Sequence, residues 1–156
     1  MLYFAYGSNM DWSQMRKRCP SVCFVCVAKL KDYRLAFTRK SIKRDCGVAD
    51  VVPAPGHDVW GVVYEIEERD TGRLNKCEGF DPGRPHEKNA YVREDRHVYV
   101  DENEEKPLAV QVYFAIRQSN PPLPNEEYKS LIVGGAKHWY IPEEYIKALE
   151  QIEVAL

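Results

Sequence analysis

Several things are missing from this 156-residue chain, and each absence narrows what it does. There is no apolar run long enough to span a bilayer, and Met1 to Tyr6 carries no basic leader or signal-like hydrophobic segment. The expectation is a cytoplasmic protein without a membrane partner. Charge of one sign is also lacking: 22 Lys and Arg are interspersed with 24 Asp and Glu, for a formal net charge of −2. No global field recommends nucleic acid as a partner. Cysteine is scarce and odd in number, with five in a chain large enough to bury a core without staples, so reduced thiols are expected. Cys23 and Cys26 match C-x-x-C, with Cys19 nearby, but they lie in the strand-like run SVCFVCVAKL, where residues three apart face opposite ways. No second pair follows to complete four ligands, and no metal site or cofactor is expected. His57, His86, His97 and His138 are dispersed with no nucleophile beside them, which argues against a Cys-His or Ser-His pair. Repeats and low-complexity segments are absent.

What is present reads as one domain over residues 1–156, β-rich in its first two-thirds and helical at its end. Short apolar or alternating runs bounded by turn residues predict strands over Leu2–Ala5, Val22–Leu30, Tyr33–Phe37, Gly47–Val52 and Asp58–Ile66, the last following a Pro53-Ala54-Pro55-Gly56 turn. The period changes over Glu67–Cys77, where Ile66, Leu74 and Cys77 are spaced as on a helix. Tyr91–Val100 and Leu108–Ile116 predict a strand pair joined by an acidic hairpin tip, Asp101–Lys106. After a stiff Asn120–Pro124 linker, Asn125 caps a helix over Glu126–Lys137, and a second helix covers Pro142–Glu153. The class is α+β: a small, bent, barrel-like mixed sheet flanked by helices, able to hold one small ligand.

Two stretches carry chemistry. The first is YFAYGSNM at residues 3–10, an apolar strand running into Gly7-Ser8-Asn9. Gly7 permits a positive φ and a close backbone approach, and Asp11 or Ser13 is placed to cap a short helix over Trp12–Arg18. The turn amides then sit at a helix N-terminus, where a carboxylate, phosphate or oxyanion is held well. On pattern alone an ordinary strand-to-helix turn is the simpler reading. The second is Glu78, between Cys77 and Gly79 at the predicted end of a helix. A carboxylate opposes the dipole there, and its proton affinity should rise, as a general acid/base requires. Arg39-Lys40-Ser41-Ile42-Lys43-Arg44 is a basic run that could meet an anionic substrate, although a solvated loop between strands is the simpler reading.

YFAYGSNM, Val59-Trp60-Gly61-Val62-Val63-Tyr64, Cys77-Glu78-Gly79, Pro121-Pro122 with Tyr128-Lys129, and Gly135-Ala136-Lys137 occur in that order over nearly the whole chain. Together they resemble the γ-glutamylcyclotransferase family, and the tail is more similar to γ-glutamylcyclotransferase proper than to the glutathione-specific branch. The resemblance implies a small β-barrel edged by helices and a reaction without cofactor or metal. In that reaction the α-amine of a γ-glutamyl amide attacks its own γ-carbonyl, releasing 5-oxoproline and a free amino acid or amine. It also implies a catalytic role for Glu78, moving protons from the amine and to the leaving nitrogen. Tyr6, Gly7, Ser8 and Asn9 match the loop that holds the glutamyl part; the turn amides would take either the α-carboxylate or the developing oxyanion. Tyr91, Tyr113 and Tyr128 fall at the family's cavity tyrosines, each able to bond substrate or simply to pack. Two alternatives stay open: removal of a γ-glutamyl group from a larger metabolite side chain, and a non-catalytic ligand-binding module.

One departure from the family pattern is a longer connection between Glu78 and Tyr91. Residues 79–90 include two prolines and two glycines and carry Arg84, His86, Glu87 and Lys88. Their position predicts a shaped loop that covers the cavity mouth and recognises the leaving group.

Overall fold

A hairpin of two long strands organises the computed structural model, which describes residues 1–100 and 106–156. The strands are β1 (Leu2–Ala5), β2 (Cys23–Ser41), β3 (Cys46–Glu65), β4 (Tyr91–Val100) and β5 (Pro107–Ala115). They form a closed barrel in the order β1-β3-β2-β4-β5. Neighbours along that order are antiparallel, and β1 closes the barrel beside β5 in parallel, with Tyr3 opposite Gln111. The helices are α1 (Trp12–Arg18), α2 (Glu68–Cys77), α3 (Glu126–His138) and α4 (Glu143–Glu150). The α+β barrel flanked by helices is thus the architecture observed. No helix among the described residues is long and apolar enough to cross a membrane.

Four strands expected in the first half of the chain are in fact two. Val22–Leu30 and Tyr33–Phe37 merge into β2, and Gly47–Val52 and Asp58–Ile66 merge into β3, with no turn at Pro53-Ala54-Pro55-Gly56. The interruptions read from sequence are absorbed as bulges, with register shifts at Phe24/Cys26, Lys31/Tyr33 and Phe37/Arg39. Asp32, at φ 65°, sits at the second of these, and its Oδ1 accepts the Gly56 amide at 2.9 Å. Prolines survive in a strand at such an irregularity because the ladder asks less of their missing N–H. The first bulge also breaks the alternation argued for the C-x-x-C pair: Cys23 is exposed and Cys26 half-buried. The acidic tip expected at Asp101–Lys106 lies, apart from Lys106, outside the described residues.

Phe4, Val51, Val59, Val62, Val63, Tyr64 and Val98 all have under 2% of their surface exposed, and since Val62, Val63 and Tyr64 are consecutive in β3 the sheet is covered on both faces there. Each such aliphatic or aromatic side chain contributes about 1.5–3 kcal/mol relative to exposure. Met10 and Met15 are fully buried as well and belong to the same apolar cluster as Ile132 of α3. Here α3 approaches backbone directly: a Cβ at Gly135 would lie 2.5 Å from the Met10 carbonyl carbon. That contact fixes the chain immediately after β1, which is the segment that builds the site.

Candidate active site

β1 delivers Tyr6 and Gly7 to the end of the barrel, and residues Ser8–Met10 turn once as a 3-10 helix before α1 begins. The turn is held by Met10 N–H donating to Gly7 O at 3.1 Å and Asp11 N–H to Ser8 O at 2.9 Å. Of the two expected caps, Asp11 is the one used, its Oδ2 accepting the Gln14 amide at 2.9 Å. Gly7 does not have the expected positive φ; its φ is −117°. What glycine supplies is room, since a Cβ would lie 3.2 Å from Ala49 Cβ and 3.7 Å from the Tyr128 hydroxyl. Ser8 and Asn9 are buried, and among the described residues no protein acceptor takes their backbone N–H groups. These amides are available to an anion.

Glu78 reaches the same place from the other side of the barrel. It caps the C-terminus of α2, and Gly79 follows at φ 62°. Phe80 N–H donates to Asn75 O at 2.8 Å and Gly79 N–H to Lys76 O at 3.1 Å, the paired bonds of a Schellman ending. The Glu-Gly pair therefore has a backbone reason: the left-handed glycine stops the helix and leaves the preceding side chain at its rim. Glu78 Oε1 accepts Asn9 Nδ2 at 3.1 Å. The other Nδ2 hydrogen of Asn9 goes to the Tyr3 hydroxyl at 3.0 Å, and its Oδ1 accepts Gln14 Nε2 and Arg18 Nη1, each at 3.0 Å. With every polar position of the Asn9 side chain engaged, the amide that touches Glu78 has one orientation. Burial raises the proton affinity of the Glu78 carboxyl, against the opposing pull of Arg18, Arg44 and the Asn9 bond. A carboxyl so balanced is suited to taking and returning a proton.

The tyrosines divide by what their hydroxyl protons do. Tyr6 donates to Tyr113 O at 2.6 Å, Tyr91 to Ala49 O at 2.5 Å, and Tyr113 to Asn75 Oδ1 at 2.5 Å. Tyr128 instead accepts the Ala49 N–H at 3.0 Å, so its own proton is free to point at a ligand. Burial pushes the Tyr128 phenol up to about 12, keeping it a neutral donor near neutral pH. One residue of β3, Ala49, thus positions both Tyr91 and Tyr128. The next residue anchors that stretch: Asp50 is fully buried and accepts from Thr38 Oγ1, Val51 N, Ala115 N and Arg117 Nε.

Tyr6, Gly7, Ser8, Asn9, Glu78, Tyr91, Tyr113 and Tyr128 all line one cavity of about 1150 Å³. Sequence reasoning missed Tyr3, Gln14, Arg18 and Ala49, which line it too. Gln14 and Arg18 carried a signal, being four apart on the helix that follows the glycine turn and so on one face of it. Two loop readings are corrected. Arg39–Arg44 is not merely solvated, because all six residues line the cavity at the β2–β3 hairpin end. Of the longer connection, Gly79 and Ala90 at its two ends line the cavity, whereas Arg84, His86, Glu87 and Lys88 do not. That segment closes on itself through buried Asn89, whose Oδ1 accepts Asp81 N at 2.9 Å and Arg84 Nε at 3.1 Å, while Arg84 Nη2 reaches Gly79 O. Among the described residues no three His, Cys, Asp or Glu side chains are grouped to hold a metal.

Residues 3–131 match the family model described as γ-glutamyl cyclotransferase, AIG2-like. The chain is 34% identical to the γ-glutamylcyclotransferase of Mus musculus and 35% identical to that of Homo sapiens; each match covers 97% of this chain and 78% of the relative. A solved structure described as γ-glutamyl cyclotransferase superposes with a TM-score of 0.89 at 31% identity, covering 99% of this chain and 89% of the other.

Proposed function

Since this chain belongs to the γ-glutamyl cyclotransferase, AIG2-like family, we propose that it cleaves γ-glutamyl amides to 5-oxoproline and a free amine or amino acid, with Glu78 as proton carrier. The observation that carries the assignment of roles is the bond between Asn9 of the opening turn and Glu78, which joins an anion-receptive backbone to a carboxyl of raised proton affinity.

The chemistry follows from that pairing. The substrate's α-amine is its own nucleophile, and folding it onto the γ-carbonyl is worth about 7 kcal/mol or more in well-oriented cases. The Ser8 and Asn9 amides and the Tyr128 hydroxyl are the donors available to the glutamyl carboxylate or to the oxyanion that develops on the γ-carbonyl. Glu78 removes a proton from the amine, the ring C–N bond forms, and the amide C–N bond breaks as the same proton passes to the leaving nitrogen. No oxidant, metal or co-substrate enters this balance. A cytoplasmic site of action and a single-domain organisation belong to the same proposal, on the composition argument above.

The test is 5-oxoproline release from a panel of γ-glutamyl amino acids and γ-glutamyl amines, comparing wild type with Glu78→Gln. Release by the wild type and its loss in the variant supports the reading. A wild type silent across the panel, yet binding its members, would make the chain a binding module on this fold.

A further inference from the structure

The cavity changes character from floor to rim. Its floor is buried and rich in tyrosine, with Tyr3, Tyr6, Tyr113 and Tyr128 around Asn9. Its rim is basic. Seven Lys and Arg line the cavity against three acids, Asp11, Glu78 and Glu127, in a chain whose formal net charge is −2. Half-buried Arg18 and Arg44 form the inner part of this collar; both pull on the Glu78 carboxyl through space, while among the described residues their guanidinium hydrogen bonds go to neutral amide oxygens, Asn9 Oδ1 at 3.0 Å and Gln14 Oε1 at 2.8 Å. Among the described residues no carboxylate pairs with either guanidinium, although Arg44 also lies over the Tyr128 ring at 4.9 Å. Exposed Lys17, Lys43 and Lys76 surround them, again without an ion pair among the described residues, whereas Lys40 is paired with Asp45 at 3.1 Å. Guanidinium groups held by one neutral acceptor each keep donors that an anion satisfies best, usually in bidentate fashion.

A γ-glutamyl derivative of a simple amino acid brings two carboxylates, and the turn amides already offer a place for one. The collar has more positive charge than the remaining carboxylate can use. The volume, about 1150 Å³, also exceeds the roughly 300–1,000 Å³ common for small-molecule sites. Resting on the cyclotransferase reading, we infer that the preferred leaving group is polyanionic: a peptide or polycarboxylate with at least two carboxylates of its own, laid from Arg18 and Arg44 outward over Lys17, Lys43 and Lys76. The reaction is unchanged; the amide C–N bond breaks and the polyanionic amine leaves with the proton that Glu78 supplies. The lysines at the β2–β3 hairpin end and on α1 then set specificity, and the connection after Glu78 does not.

The experiment compares kcat/KM for 5-oxoproline release from γ-glutamyl-alanine, γ-glutamyl-glutamate, γ-glutamyl-glutamyl-glutamate and γ-glutamyl-butylamine. It is run at about 0.01 M and about 1 M ionic strength, where charges are screened beyond roughly 30 Å and 3 Å. The triacidic leaving group should outrun alanine by roughly tenfold or more at low salt, with the advantage shrinking severalfold at high salt. The double variant Lys17→Glu/Lys43→Glu, both exposed positions, should cut the triacid-to-alanine ratio by roughly tenfold, with the thermal midpoint confirming that it folds. Equal or better turnover of γ-glutamyl-alanine, or a ratio indifferent to charge reversal, overturns the inference while leaving the cyclotransferase reading intact. Failure to release 5-oxoproline from any compound overturns both.

Discussion

Asn9 Nδ2 donates to Glu78 Oε1 at 3.1 Å, across 69 residues of sequence and from the end of β1 to the end of α2. Both partners are set by backbone. Asn9 sits in a 3-10 turn pressed against Gly135 of α3, and Glu78 sits on a Schellman ending whose glycine touches Ala90. The bond stabilises the charged form of a carboxyl that burial would otherwise neutralise.

Replacing Asn9 by Ala tests that balance. The donor to Glu78 is lost, and Gln14 and Arg18 lose their shared acceptor. The Glu78 carboxyl should hold its proton more tightly, so the acid limb of the kcat/KM profile for 5-oxoproline release moves to higher pH. Stability should fall by about 1–3 kcal/mol from the buried groups left unpaired. An unmoved acid limb in a folded Asn9→Ala protein would show that the bond does not tune Glu78.

Glu78→Gln separates function from stability. A carboxyl whose proton affinity is raised by folding adds stability that is present below the unfolded-chain value, about 4.3, and lost as pH rises through the higher native one. Above that native value the wild type carries a buried charge that a neutral amide avoids. Activity should drop by roughly 10²–10⁴-fold, the usual worth of a general acid/base. The thermal midpoint should be equal or higher at pH 7, with the difference closing as pH falls toward about 4. Melting curves across pH check this directly.

Much of this arrangement was legible beforehand, and the illegible parts share a cause. Glu78 stood out because a carboxylate before glycine at a helix end is locally unfavourable, and local rules are what a sequence exposes. The glycine-serine-asparagine turn was equally visible, though the reason for Gly7 was not, since that depends on Ala49 and Tyr128 arriving from other elements. The continuity of β2 and β3 was hidden because bulges and turns use the same residues, Asp32 and Gly56 among them. Ala49 could not be found at all: its contribution is a backbone N–H and C=O, and nothing in an alanine side chain marks which residue two tyrosines will share. The basic run and the longer connection were misjudged for the same reason, as only the closed barrel decides which loop faces the cavity.

The two tyrosines on Ala49 give a paired test. Tyr91→Phe leaves Ala49 O without its donor and Tyr128→Phe leaves Ala49 N–H without its acceptor, so each should cost about 1–3 kcal/mol of stability. Only Tyr128→Phe also removes a proton free to meet the substrate. It should lower kcat/KM by roughly 10²-fold or more, as loss of a transition-state donor does, while Tyr91→Phe should lower it far less. Equal kinetic losses would place both residues in packing alone.

Two glycines on and just after α2 should respond oppositely to alanine. Gly79 has φ 62°, and a Cβ there would lie 2.9 Å from Ala90 Cβ, so Gly79→Ala strains the backbone and presses on the start of β4. The left-handed conformation alone costs roughly 1–2 kcal/mol for an L residue. Because the Schellman ending aims Glu78, the same change should also depress kcat more than KM. Gly72 lies within α2, where a methyl group would meet nothing within 4 Å, and Gly72→Ala should stabilise by about 0.5–1 kcal/mol through helix propensity, with 5-oxoproline release unchanged. Denaturant melts of the two variants beside their kinetics decide the point: a Gly79→Ala protein with wild-type turnover would detach the helix ending from the catalytic geometry.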